Sequence, residues 1–144
     1  MRIRRTRRTD FTAVMGVRAA SGTPVPPPDR ITLRRFRQIV ADLGGDFYVA
    51  TVDDTLAGFV HVTYARQLAR PPLAQLADLV VATPWRRQGV ATALLAFVRR
   101  RARQRGCGTL VCVPGADAAA RAFLEHAALR AAGDVFMETL EEDH

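Results

Sequence analysis

The stretch Leu79-Val80-Val81-Ala82-Thr83-Pro84-Trp85-Arg86-Arg87-Gln88-Gly89-Val90-Ala91-Thr92 decides how this chain folds. Leu79 to Val81 close an apolar run that begins at Leu73 and reads as a strand ending at Thr83 and Pro84. From Val90 the apolar residues recur at helical spacing through Leu94, Leu95, Val98 and Ala102. A strand therefore turns into a helix across Arg86 to Gly89. The first amide hydrogens of such a helix have no acceptor within it, and its aligned peptide dipoles favour negative charge at the same end. Gly89 removes a side chain where an anion would approach most closely, and the small Ala91 does nearly the same. A pyrophosphate fits this description, and so does an ordinary helix start flanked by surface arginines. The segment lacks the Gly-Lys-Ser of a P-loop and the glycines of a dinucleotide fingerprint.

Working outward, Gly106 and Gly108 close this helix, and Thr109 to Val113 reads as a second strand, so residues 73 to 113 form a βαβ unit. Upstream, residues 1 to 8 suggest a short edge strand. Thr9 and Asp10 offer capping oxygens before Phe11, Val14, Met15 and Arg18, which share a helical face. The prolines at 24, 26, 27 and 28 make residues 21 to 29 a loop. Ile31 to Leu43 predicts another helix, stopped by Gly44 and Gly45. Phe47 to Val52 and Leu56 to Tyr64 flank Asp53 and Asp54 as a hairpin. Downstream, Ala116 to Leu129 predicts an alanine-rich helix, and Val135 to Leu140 a last strand before the acidic tail Glu141 to Asp143.

The chain has 144 residues, of which 49% are hydrophobic and 24% charged, so one globular domain spanning 1–144 is expected. Net charge is +7, yet all 21 basic residues are arginine, which looks like a coding bias and weakens an argument from charge to nucleic acid. Nucleic acid is accordingly disfavoured as a partner. Cys107 and Cys112 match no zinc or redox spacing, so packed thiols, no metal and a reducing, cytoplasmic setting are expected. Neither a secretory signal nor a membrane span is apparent, and the Arg99 to Arg105 run reads as a solvated helix end.

Arg86-Arg87-Gln88-Gly89-Val90-Ala91 resembles the Arg/Gln-x-x-Gly-x-Gly/Ala signature of the GNAT N-acetyltransferase superfamily, and the order of elements along the chain is similar to that family's. Asp117, Ala120 and Phe123 fall where the family commonly shows Asn, Ala and an aromatic residue. The resemblance implies an α/β fold with a central mixed, mostly antiparallel sheet of six to seven strands and four flanking helices. It also implies acetyl-CoA as acyl donor, with the backbone of Arg87, Gln88, Gly89, Val90, Ala91 and Thr92 on its pyrophosphate and Arg86 opening the motif. Its pantetheine arm would run along Leu79, Val80 and Val81, and Asp117 and Phe123 would line the opposite wall. An acceptor amine would attack the thioester directly in a ternary complex, with the Val81 N–H as oxyanion donor.

The family's usual acid, a tyrosine, is replaced here by Leu124. Tyr64, His61 and His126 are the candidate substitutes, and Asp78 on the signature strand is the candidate base, with Asp46 a weaker one. Tyr64 and Asp78 are the catalytic expectations. The acceptor is a small-molecule or protein amine. A homodimer follows by analogy alone. The departure at Leu124 leaves a second reading open, a non-catalytic acyl-CoA sensor or partner-binding module.

Overall fold

The computed structural model describes residues 1–22, 25–114 and 118–140. Contacts divide the chain into a larger unit, Met1–Val113, and a smaller one, Pro114–His144. The larger unit carries a five-stranded sheet in chain order: β1 (Arg2–Arg5), β2 (Asp46–Val52), β3 (Thr55–Ala65), β4 (Leu73–Val81) and β5 (Thr109–Cys112). The pairings from β1 to β4 are antiparallel, whereas β4 and β5 are parallel. Three helices belong to the same unit: α1 (Phe11–Ala20), α2 (Arg30–Ala41) and α3 (Val90–Gln104). The parallel pair requires a crossover, and α3 supplies it.

Local chemistry accounts for the boundaries. Asp53 and Asp54 both adopt positive φ, 50° and 63°, giving the two-residue turn whose twist matches a hairpin. Asp29 caps α2 by accepting from the Thr32 amide at 2.9 Å. The expected helix to Leu43 stops at Ala41, because the Asp42 carboxylate accepts the Gly44 N–H at 2.8 Å and turns the chain first. Asp10 does not cap α1. It accepts from the Arg7 amide at 2.7 Å and takes both guanidinium nitrogens of Arg4 at 2.8 and 2.9 Å, tying β1 to the start of that helix.

Alternation along β2 sorts the two faces of the sheet. Phe47 and Val49 join Val14, Val17, Phe36, Phe59 and Val80 in one apolar cluster. Within it the rings of Phe11, Phe36, Phe47 and Phe59 follow one another at 5.3, 5.7 and 6.0 Å. Asp46 and Tyr48 face the other way, toward Arg101 and Phe97 of α3. Leu94, Leu95 and Val98 of α3 and Val60 and Val62 of β3 are fully buried.

The smaller unit contains α4 (Ala118–His126). Among the described residues the sheet has five strands, not six to seven. The strand expected at Val135 to Leu140 does not form, and Val135, Phe136, Met137 and Leu140 lie exposed. A strand-prone run makes a strand only where a neighbouring edge accepts its hydrogen bonds and one face is covered. Asp117 and the tail Glu141 to Asp143 lie outside the described residues.

Candidate functional site

The site is built on β4. On one side this strand pairs with β3 along its length, through Leu73↔Ala65 to Val81↔Gly58. On the other it pairs with β5 only from Leu73↔Thr109 to Leu76↔Cys112. A bulge falls at the same level: His61 faces Asp78 and Val62 faces Leu76, so Ala77 is the extra residue. Beyond it, no described strand pairs with β4 on the β5 side.

Antiparallel alternation then says which backbone groups are left there. The Ala82 amide donates to the Ala57 carbonyl at 2.9 Å, so Ala82 points its backbone toward β3. Successive residues point to opposite sides, so Val80 also faces β3, while the N–H and C=O of Leu79 and Val81 face away from it. The two strands can approach closely because residue 58 is glycine; a Cβ there would stand 2.8 Å from the Val80 carbonyl oxygen.

Immediately after β4, a 3-10 turn (Thr83–Trp85) leads through a tight turn into α3. Gly89 is the N-cap residue at φ 79°, ψ 8°, with no side chain capping the helix. The helix's hydrogen-bond ladder opens with the Ala93 amide donating to the Gly89 carbonyl at 2.9 Å, so the Val90, Ala91 and Thr92 amides have no acceptor within the helix. Among the described residues, apart from its chain neighbours, no heavy atom lies within 4 Å of where a Gly89 Cβ would stand. Arg87 adopts φ 62°, a left-handed conformation that costs a non-glycine residue about 1 kcal/mol or more. The turn is clamped to the end of α1 by two bonds, Thr83 Oγ1 to the Ala20 carbonyl and the Arg86 guanidinium to the Ser21 carbonyl, each 2.6 Å.

Asp78 and His61 are directly opposed across β4 and β3 at the level of the bulge. Asp78 is half-exposed and ion-paired with Arg18 of α1 at 3.3 Å. The His61 ring lies 5.6 Å from that of Phe47. Burial lowers the imidazole's proton affinity, against opposing fields from Asp78 and Asp42, so the ring favours its neutral form. This is a polar corner beside the opening of the sheet, on the α1 face. Cys112, at the last paired position of β5, is pushed up by burial and then by Asp78, as is Cys107 by burial, so neither thiol is an activated nucleophile.

Residues 11–128 match the acetyltransferase (GNAT) family. The chain belongs to the GNAT acetyltransferase family. Several solved structures share its fold. A transcriptional regulator from Bacillus halodurans superposes with a TM-score of 0.84 at 20% identity, covering 96% of this chain and 99% of that one. An aminoglycoside acetyltransferase from an uncultured soil metagenomic sample gives 0.79 at 19% identity, with 97% and 96% covered. Glucosamine-6-phosphate N-acetyltransferase from Arabidopsis thaliana gives 0.80 at 14% identity, with 97% and 98% covered. No curated protein matches the chain by sequence.

Within this GNAT fold the residues expected at the site divide into groups. Leu79, Val80, Val81, Gly89, Val90, Ala91 and Thr92 lie on the single strand-to-helix unit that carries the unpaired backbone. Arg86 belongs to the same turn but spends its guanidinium on Ser21, making it a brace for the turn. Gln88 similarly donates to the Pro84 carbonyl at 3.1 Å. Ala120 and Phe123 are half-buried residues of α4, and Asp117 is not described.

Tyr64 lies apart from Asp78. Its hydroxyl donates to Asp46 at 2.5 Å, on the α3 face and at the Ala74 level of β4, whereas Asp78 meets Arg18 on the α1 face. Burial and then the Asp46 carboxylate push the phenol well above its ordinary value, which makes it a poor proton donor. Asp46 is equally committed: it is 2% exposed and also receives Arg101 and Arg105, each at 3.0 Å. The arginine run is thus only partly a solvated helix end. Sequence reading missed Arg18 as the partner of Asp78; its place on the last turn of α1 was visible, but nothing local pointed across sixty residues of chain.

Leu124 is 8% exposed. Leu124→Tyr is therefore expected to lower stability by about 1–3 kcal/mol, through overpacking and the burial of a hydroxyl. Thermal melts read this directly; an unchanged melting temperature together with faster thiol release would show instead that a hydroxyl there reaches the reacting groups.

Proposed function

We propose that this GNAT acetyltransferase transfers an acetyl group from acetyl-CoA to a primary amine by direct attack, in the cytoplasm. The observation that carries the reading is the coincidence, on one strand-to-helix unit, of the outward-facing backbone of Leu79 and Val81 with an uncapped helix start over the open Gly89. These groups fit the donor's chemistry. Two amides of a pantetheine arm can pair with strand backbone as an added strand would, and a pyrophosphate can accept from the Val90, Ala91 and Thr92 amides. Bound acetyl-CoA would supply an activated acyl thioester.

The chain's own groups would do the rest. Asp78 would take a proton from the incoming ammonium, since only the neutral amine is nucleophilic, while Arg18 holds the carboxylate's orientation. The Val81 N–H would stabilise negative charge developing on the acyl oxygen. His61, in its neutral form opposite Asp78, could pass the proton toward solvent. An aminoglycoside and glucosamine-6-phosphate, named for two proteins of similar fold, both offer amines, and a small-molecule or protein amine is proposed here. Asp78→Asn should reduce kcat about 100-fold with donor affinity kept within about twofold. An undiminished kcat would put the base elsewhere.

A second reading is supported by the buried Leu124 at the acid position and by the engagement of Tyr64 with Asp46. In it the chain binds an acyl-CoA and transfers nothing. Calorimetry with acetyl-CoA, followed by thiol release across a panel of amines, separates the two: binding with no amine-dependent release selects the sensor. No heat at millimolar donor would defeat both.

A further inference from the structure

Away from the donor unit, Arg8 and the exposed side of α2 enclose a groove of about 720 Å³. Its walls include Arg8, Arg30, Arg34 and Arg37, with Ile31 and Leu33 between them. Arg30, Arg34 and Arg37 stand at i, i+4 and i+7, so they share one side of the helix over about 10 Å. All four arginines are exposed, and among the described residues none of them forms an ion pair.

This arrangement works against the isolated helix. Between Arg30 and Ala41 there are four arginines and no acidic residue, so like charges repel at helical spacing. Arg30 is the first residue of α2, where the helix dipole disfavours a cation. Asp29 beside it is occupied with the Thr32 amide. Ile31 adds an apolar side chain 61% exposed in the middle of the charges.

We propose that this groove docks a carboxylate-rich peptide segment of a partner protein. Guanidinium forks pair with carboxylates in a fixed two-point geometry, and an extended peptide with acids on alternate residues would span the three arginines of α2 in about three or four residues. Its intervening apolar side chains would cover Ile31 and Leu33. A single-stranded nucleic acid fits less well, because among the described residues no aromatic ring lines the groove to stack a base. The proposal is independent of the acetyl-transfer reading.

The test uses a fluorescent peptide of alternating glutamate and leucine, a control with glutamine for glutamate, and a single-stranded oligoribonucleotide of equal charge. Anisotropy at low salt should show binding of the acidic peptide, none of the control, and weakening as salt rises. The double variant Arg34→Glu, Arg37→Glu changes only exposed positions and should bind the acidic peptide at least about tenfold more weakly, with circular dichroism and acetyl-CoA calorimetry as in the parent protein. Absence of peptide binding, equal binding by the control, or binding undiminished in the double variant would each overturn the proposal. So would tighter binding of the oligoribonucleotide that the same double variant abolishes, which would reassign the groove to nucleic acid.

Discussion

Gly89→Glu should abolish acetyl-CoA binding in a protein that still folds. Gly89 sits at φ 79°, where an L side chain is strained by about 1–2 kcal/mol, but among the described residues a Cβ would meet no heavy atom within 4 Å. The penalty is therefore conformational and local. A carboxylate at the start of α3 also interacts favourably with the helix dipole, which offsets part of the strain. The same carboxylate would occupy the space in front of the Val90, Ala91 and Thr92 amides and repel a diphosphate. Gly89→Ala is the control, since it imposes the backbone strain without charge, and it should weaken binding far less. Calorimetry with acetyl-CoA and a thermal melt of each variant decide the matter. A folded Gly89→Glu protein with the parent affinity would remove the helix start from the donor site.

Asp46→Ala carries the largest expected loss of stability. The Asp46 carboxylate is 2% exposed and joins three elements: it belongs to the first residue of β2, it accepts from Tyr64 of β3, and it accepts from Arg101 of α3 and from Arg105, the residue that ends that helix. Arg105 also stacks 4.4 Å above the Tyr64 ring. Removing the carboxylate leaves a phenol and two guanidinium groups without their shared acceptor, a loss of about 3–5 kcal/mol. For a chain of this length that lowers the melting temperature by about 10 °C or more. Tyr64→Phe, which deletes one hydrogen bond and keeps the ring, should lose only about 1 kcal/mol. A melting temperature within a degree or two of the parent for Asp46→Ala would show that the network is idle.

The same network predicts a pH dependence. Burial pushes the Asp46 carboxyl up, but hydrogen bonds from Arg101, Tyr64 and Arg105 together outweigh it and hold the group below its ordinary value. A group lowered on folding contributes its full stabilisation above its unfolded value, about pH 4, and loses it as pH falls through the lowered folded value. Stability should therefore decline on the acid side, and Asp46→Ala should decline less steeply over the same range. Denaturant melts from about pH 2 to pH 6 measure the difference.

Much of the architecture was legible in the residues themselves. The apolar run from Leu73 to Val81 and the helical spacing from Val90 to Ala102 are local patterns, and β4 and α3 occupy those spans. The hairpin turn was legible because Asp53 and Asp54 tolerate the positive φ it needs. The helix start at Gly89 could be read as well, since a glycine in that position and the orphan amides after it follow from chain order alone. Val135 to Leu140 misled for the converse reason: an apolar, strand-prone run is a local feature, while a strand needs an edge to pair with, which no local feature supplies.

What the sequence determined by itself was thus whatever depends on neighbours along the chain: period, turn chemistry and the signature turn between strand and helix. Tertiary structure alone decided which side of the sheet each polar group serves. Asp78 and Tyr64 looked like companions in a list of candidates, yet the bulge at Ala77 and the alternation of the strands send one to Arg18 on α1 and the other to Asp46 beneath α3. The physical reason is that a pKa or a proton path is set by charges and burial within a few ångströms, and those neighbours come from segments dozens of residues apart whose register only the folded sheet establishes.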